Sequence, residues 1–107
     1  MKKTTVFLFI VLFVSVNIVY PFFNYYIEGG ATHSFNRGVP AGNVMVQIRG
    51  NGNSNLDLYV YYGSQLIGRG ESAGDGENVP INTNSGGAIT ILVVNRGRYG
   101  NQYQTNF

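Results

Sequence analysis

The alternation of apolar and polar side chains after residue 42 limits the fold of this 107-residue chain more than any other feature. Every second residue is apolar in two segments that begin at residues 43 and 56. These apolar positions are Val44, Val46, Ile48, Leu56, Leu58 and Val60. A period of two is the period of a β-strand that places one face over a core and the other in solvent. The pattern therefore predicts short, half-buried strands.

Turn-forming segments rich in glycine and asparagine separate these runs at intervals of about 8 to 12 residues. The predicted strands lie within residues 28–38, 43–50, 56–62, 65–67, 79–81, 88–95 and 101–107. After residue 30 no apolar spacing fits a helix. The chain is thus predicted to be all-β, with a single small antiparallel β-sandwich of jelly-roll-like form.

Three local signals refine this sandwich. Gly63 and Ser64 form a two-residue connection with glycine first, which predicts a type II′ hairpin. Pro80 has no N–H to donate, so its strand is predicted to lie at a sheet edge or to point the Pro80 nitrogen away from a partner strand. The segment AITILVVN, residues 88–95, is apolar on both faces and is predicted to be the most buried strand. Residues 68–77 are predicted to form a polar loop.

The N-terminal quarter of the chain has a different character. Residues 4–27 form an uncharged stretch of 24 residues directly after Lys2 and Lys3. As a helix this stretch measures roughly 36 Å, enough to cross a hydrocarbon core of about 30 Å once. Residues 1–27 are therefore predicted to be an apolar N-terminal helix that directs export, so the chain is placed outside the cell or at its surface. The side chains predicted to contact a membrane or sister subunits are Val6, Phe7, Leu8, Phe9, Ile10, Val11, Leu12, Phe13, Tyr20, Phe22 and Phe23.

Three alternatives for this segment stay open. It is retained as a membrane anchor or assembly core, or it is a long signal peptide with small residues for cleavage at 29–31. Its richness in Val, Ile and Phe also suits a strand donated to an assembly. The chain contains no cysteine, so an exported domain this small needs packing, an ion or association for its stability.

The charge distribution excludes one class of partner. Beyond Lys2 and Lys3, five arginines balance five acidic residues, so the remainder of the chain has a formal charge of zero. Nucleic-acid binding depends on neutralising phosphates with a basic surface, which a neutral domain lacks. We therefore expect no nucleic-acid partner.

Several segments resemble one known family. They are THSFNRGVPAGNVMVQIRGNG, NSNLDLYVY, GENVPI, SGGAITILVVN and YGNQYQTNF. Together they are similar to the bacterial pre-peptidase C-terminal domain over residues 32–107, with residues 28–42 as a short first strand and turn leading in. The resemblance implies a jelly-roll-like sandwich that assists binding to insoluble substrates or surfaces, and some members hold calcium. Asn55 stands where the family usually has aspartate, which puts any shared ion site in doubt, and Ala88-Ile89 stands where the family usually has tyrosine after its glycine.

Candidate sites for chemistry are few. Nucleophilic catalysis needs a nucleophile, a base and an orienting group in contact, whereas the chain has no cysteine and a single histidine, His33. We therefore expect no enzymatic activity. Calcium is the one cofactor considered, because it prefers clusters of hard oxygen ligands. Its candidate ligands are Asp57, Glu71, Asp75 and Glu77, and the alternative is a solvated loop neutralised by Arg69.

Two functions of different classes fit these observations. In the first, the protein is a structural subunit that associates with itself into a surface filament or pilus-like fibre through its apolar N-terminal segment. In the second, it is a membrane-anchored or secreted module that presents Tyr59, Tyr61 and Tyr99 to a polysaccharide or protein ligand. The tyrosines have a purely structural alternative, since cross-strand pairs also stabilise a sheet face.

Overall fold

The computed structural model describes residues 22–52 and 54–107, and all regular structure there is β. The eight strands are β1 (Phe23–Ile27), β2 (Thr32–Val39), β3 (Gly42–Gly50), β4 (Leu56–Tyr62), β5 (Gln65–Gly70), β6 (Gly76–Thr83), β7 (Gly87–Asn95) and β8 (Asn101–Thr105). They form two four-stranded antiparallel sheets. The first sheet has the order β1-β8-β3-β6 and the second the order β2-β7-β4-β5. In the part of the chain that the structure describes, no helix is long and apolar enough to span a membrane.

The inward-facing side chains of the two sheets form one apolar core, as the period of two predicts. Val46 and Ile48 of β3 are 3% exposed, and Leu56, Leu58 and Val60 of β4 are fully buried. The strands predicted over 43–50, 56–62 and 88–95 are therefore confirmed as β3, β4 and β7. The all-β prediction with two packed antiparallel sheets is confirmed as well.

The turn and edge predictions also agree with the structure. Gly63 has a φ of +62°, the left-handed value that a II′ turn requires at its first central position. Pro80 lies on β6, which is an edge strand of the first sheet. An edge position needs no ladder hydrogen bond on its outer side, so it tolerates a residue without an N–H.

The predicted polar loop over 68–77 is too long, because β5 continues to Gly70 and β6 starts at Gly76. Gly68 and Gly70 are strand residues that let β5 lie close to β6. A Cβ on Gly68 would come within 2.7 Å of a Val79 methyl, and one on Gly70 within 2.4 Å of the Glu77 carboxylate. These glycines therefore mark a close approach between the sheets, not a loop.

The prediction that β7 is buried on both faces holds for one face only. Ile89, Ile91 and Val93 are at most 2% exposed beneath the second sheet. Leu92 and Val94 point to the outer face and are half-buried, since neighbouring strands flank them and no second layer of the described chain covers them. The strand is central in its sheet, but it is buried in the manner of an antiparallel strand with one wet face.

The end of the predicted N-terminal helix is a strand. Residues 23–27 form β1, which pairs with β8 from Phe23↔Thr105 to Ile27↔Asn101. Ile27 is fully buried in the core, so this part of the predicted segment 1–27 belongs to the first sheet. The helix predicted over the preceding residues, with its side chains from Val6 to Tyr20, lies outside the described residues.

Candidate functional site

The two long sides of the sandwich differ in how they are closed. On one side β5 packs closely on β6, through the glycines described above. On the other side lie β1 and β2, the outer strands of the two sheets. Among the described residues β1 pairs only with β8, and β2 only with β7. Each of these strands therefore has one edge whose backbone N–H and C=O groups meet no neighbouring strand of the described chain.

An aromatic cluster fills the space between β1 and β2. Its members are Tyr25, His33, Phe35, Tyr103 and Phe107. Phe35 is its centre, with ring centroids 5.0 Å from Tyr25 and 5.2 Å from Phe107, both edge to face. Only Tyr103 is fully buried, and the other four are half-buried. The open side of the sandwich is thus lined by aromatic rings that remain partly exposed.

A polar contact and a cation complete this cluster. The Tyr103 hydroxyl lies 2.6 Å from Nδ1 of His33, which joins β8 of the first sheet to β2 of the second. Burial, with a smaller contribution from the charge of Tyr25, raises the pKa of Tyr103 above its usual value. The Arg37 guanidinium lies 5.2 Å from the centre of the Phe35 ring, a cation–π distance. His33 therefore contributes a polar contact between the two sheets at the edge of the aromatic cluster.

Large apolar side chains are exposed near the start of the described chain. Phe22 is 54% exposed, Phe23 is 45% exposed and Tyr26 is 56% exposed. Two of the residues predicted for membrane or subunit contact, Phe22 and Phe23, are thus accessible and lie beside the edge of β1. Phe22 and Tyr26 lie on the outer face of the first sheet, whereas Phe23 alternates with them along β1.

The structure separates the three tyrosines predicted as a binding surface. Tyr59 and Tyr61 lie on the outer face of the second sheet, whereas Tyr99 lies in the loop between β7 and β8. The Tyr59 hydroxyl donates to the Glu71 carboxylate and accepts from the Arg96 guanidinium at 2.9 Å. The bond to Glu71 is the main cause that raises the pKa of Tyr59. Tyr59 is therefore part of a polar network, and its hydroxyl is already engaged.

The structure places the four candidate calcium ligands at three positions. Glu71 accepts from the Tyr59 hydroxyl, which also lies 3.5 Å from Asp57. Asp57 faces outward from the second sheet and accepts from Nε of Arg96 at 3.0 Å. Glu77 points into the sandwich and accepts from the backbone N–H of Ser72 at 2.9 Å. Asp75 faces the other end of the loop, where it accepts from the backbone N–H of Gly52. The described residues contain no group of three or more such side chains placed to hold a metal ion.

The sequence analysis missed the chemistry of the first sheet's outer face. Seven of its side chains are carboxamides, and together we call them the amide face: Asn24, Asn43, Gln47, Asn78, Asn82, Gln102 and Gln104. Each strand shows only a part of this face, since Asn43 and Gln47, Asn78 and Asn82, and Gln102 and Gln104 stand on separate strands.

Comparison with known proteins adds no relative, since neither a family model nor a curated protein sequence matches this chain significantly. The structure itself defines the class: an all-β protein of two antiparallel sheets. Its particular features are an open side lined by aromatic rings and an uncharged stretch that leads directly into an edge strand.

Proposed function

We propose that this protein is a non-enzymatic extracellular structural protein, a subunit of a surface filament or array that assembles through its apolar N-terminal segment. The observation that carries the proposal is the position of β1. This strand lies at the edge of the first sheet and is joined directly to the uncharged stretch that begins at residue 4. The segment available for assembly therefore emerges beside an edge that is able to receive a strand.

The open side supports association by strand addition. An unpaired strand edge presents backbone donors and acceptors, and an extended segment from another chain satisfies them while its side chains fill neighbouring pockets. The Val, Ile and Phe residues of the N-terminal stretch are strand formers, and the half-buried Phe35 and Phe107 offer apolar surface for them. In a filament, the segment of one subunit would cover the open side of the next.

The opposite side carries features that discourage such pairing. Pro80 lies on the edge strand β6, and a register shift between Val60 and Tyr61 interrupts the pairing of β4 with β5. Proline and bulges at edges are devices by which β-proteins avoid unwanted strand addition. The two sides are therefore chemically unequal, which favours a directional, head-to-tail assembly over an unordered one.

We also propose that the sandwich is jelly-roll-like and related to the pre-peptidase C-terminal domain. The supporting observation is the strand order, in which consecutive strands alternate between the sheets except at the β4–β5 hairpin. Such an order arises when one long antiparallel hairpin folds over and its strands divide into two packed sheets, as in jelly rolls with two Greek keys. The alternative function, a binding module that uses Tyr59, Tyr61 and Tyr99, has weaker support because these residues do not form one surface.

Electron microscopy of the purified full-length protein tests the assembly proposal. We expect uniform fibres from the natural chain and none from a Val11→Asp variant, because a carboxylate in the apolar segment is costly to bury. The matched control is Gln65→Glu, which adds the same charge at an exposed position of β5, on the opposite side, and should leave the fibres intact.

A deletion of residues 2–21 separates assembly from folding, since it retains all of β1. We expect this shortened chain to remain folded by circular dichroism and to stay dispersed. If the shortened chain forms the same fibres, the N-terminal segment is not the assembly element. Detergent-dependent monomers from the full-length chain would instead favour a membrane-anchored module.

A further inference from the structure

We infer that the amide face is a binding surface for a neutral, hydroxyl-rich polysaccharide. The inference does not depend on filament assembly, because the amide face is the outer surface of the first sheet and not its edge. Its starting point is a contrast between the two outer faces. The second sheet carries the charged network of Asp57, Arg69, Glu71 and Arg96, whereas the first sheet carries carboxamides. Among the described strand residues of the first sheet, Arg49 is the charged side chain on the outer face, and the Glu77 carboxylate of β6 is buried.

Strand register aligns the carboxamides in rows across the sheet. Asn24 lies opposite Gln104, and Gln104 lies opposite Arg49, so one row crosses three strands. On the far strands, Nδ2 of Asn82 donates to Oδ1 of Asn43 at 2.7 Å. Neighbouring strands lie about 4.8 Å apart, so each row offers a side chain about every 4.8 Å. An extended ligand that lies across the sheet therefore meets polar groups at regular intervals.

The hydrogen-bonding capacity of these rows exceeds what they use internally. Nε2 of Gln47 donates to Oδ1 of Asn78 at 3.0 Å, which takes one donor and one acceptor. A carboxamide carries two N–H donors and two acceptor lone pairs. The remaining groups both donate and accept, and a sugar hydroxyl does the same. A carboxylate or an ammonium group, by contrast, matches only one of these roles.

Apolar spots lie among the amides, as contact with the C–H faces of sugar rings requires. Met45 is 42% exposed and lies opposite Pro80, and Tyr26 is 56% exposed and lies opposite Gln102. An aromatic ring with a polar tip suits a partner that is apolar on one face and wet at its rim. These spots are separated by amides, so the face lacks the continuous apolar centre typical of protein–protein interfaces.

A depression at one end of the face gives the ligand a defined position. It has a volume of about 110 Å³, and its lining includes Phe22, Gln47, Arg49, Glu77, Asn78 and Gln104. Pockets that enclose a whole small molecule usually measure about 300 Å³ or more. This depression therefore suits one part of a chain that continues across the face, with the Phe22 ring as an apolar wall.

Bead retention of the full-length chain tests this inference. The probes are magnetic particles coated with cellulose, chitin or β-1,3-glucan, and alginate-coated particles serve as the acidic comparison. Magnetic collection recovers only the particles, so fibres of the protein alone are not scored as binding. We expect retention on at least one neutral polysaccharide. We also expect it to be unchanged between about 0.05 and 0.5 M salt, because screening acts on charge pairs and not on neutral amides.

The deciding variant is Asn78→Ala combined with Gln104→Ala. We expect it to lower the affinity at least about tenfold, the loss expected for two hydrogen-bonding groups. Its matched control is Asn36→Ala combined with Gln65→Ala on the second sheet, which should change the affinity less than about twofold. Gln104→Glu keeps the shape of the side chain and should also weaken retention.

Three results would overturn the inference. They are no retention on any neutral probe, retention on alginate alone, and equal losses in the two double variants. If Asn78→Ala combined with Gln104→Ala abolished self-association and left polysaccharide retention unchanged, the amide face would instead be a contact surface for a second copy of the chain. Circular dichroism of each variant shows that it is folded before its retention is compared.

Discussion

The Tyr103 hydroxyl and Nδ1 of His33 lie 2.6 Å apart, although 70 residues separate them in sequence. This contact joins β8 of the first sheet to β2 of the second, on the side where the sheets are held by aromatic rings. It is therefore a polar link between the two sheets. The sequence alone does not predict this contact, because it depends on how the two sheets pack.

Replacing Tyr103 by phenylalanine should remove this link and keep the ring packing. We expect a loss of about 1 kcal/mol in the free energy of unfolding at neutral pH, the net value of a typical hydrogen bond. The measurement is urea denaturation followed by tyrosine fluorescence, which the absence of tryptophan allows. Tyr99→Phe, in an exposed loop, is the control and should be nearly neutral.

The same residue predicts a pH dependence. Because burial raises the pKa of Tyr103, the folded chain keeps this proton at a pH where the unfolded chain loses it, above about 10. The unfolded state then binds fewer protons, so stability falls as the pH rises through this range. Denaturation midpoints between pH 8 and about 11 should fall less steeply for Tyr103→Phe than for the natural chain or Tyr99→Phe. Parallel slopes would contradict this assignment.

Arg96 should stabilise the nearly buried carboxylate of Asp57. The Asp57 side chain is 8% exposed and that of Arg96 is 52% exposed, so removal of the arginine leaves a buried charge without its partner. We expect Arg96→Met to lower the midpoint of urea denaturation measurably, because the Asp57 carboxylate loses its charged partner. Arg98→Met removes an exposed arginine two residues away and should cost far less. Equal costs would mean that the ion pair contributes nothing specific.

Gly68 should tolerate no side chain, because a Cβ there would contact Val79 at 2.7 Å and Ile81 at 3.0 Å. We expect Gly68→Ala to destabilise the fold by about 1–3 kcal/mol through overpacking. The matched control is Gly38→Ala on β2, where a Cβ meets nothing within 4 Å. That substitution should be neutral or slightly stabilising. Thermal denaturation of the two variants compares them directly.

Asn95 is fully buried at the end of β7, where it holds three parts of the chain together. Its Nδ2 donates to the Tyr99 carbonyl at 2.8 Å and to the Ile27 carbonyl at 3.4 Å, and its Oδ1 accepts from the Gly97 N–H at 2.9 Å. Asn95→Asp would place a carboxylate oxygen against these carbonyls. We expect a loss of about 3 kcal/mol or more in the free energy of unfolding. Asn43→Asp, on an exposed outer position, is the control; a similar loss there would show that acidity alone is harmful.

Much of the fold could be predicted from the sequence, because the period of two assigns both the strand and its buried face. This holds for Val46 and Ile48 of β3 and for Leu58 of β4. The period of two did not identify β1 as a strand, although Tyr25 and Ile27 alternate there with outward-facing residues. The same aromatic residues also resemble a membrane-interface belt, and periodicity over five residues cannot decide between the two.

The candidate site could be predicted only in part. Asp57, Asp75 and Glu77 seemed a cluster because they are close in sequence or in a neighbouring strand. Alternation within β6 turns Glu77 inward, and Asp57 faces outward from the other sheet. The cross-sheet aromatic cluster and the amide face arise from strand order and register. Neither of these is encoded in local spacing.

The position of β1 has a consequence for how the protein matures. A processing enzyme that cut at Gly29-Gly30-Ala31 would separate the uncharged N-terminal stretch and β1 from the other seven strands. Such a cut would strip β8 of a partner on one side and remove Ile27, which is wholly enclosed. An intact first sheet is therefore incompatible with trimming at that point. Any cut that spares the sandwich must fall upstream of Phe23.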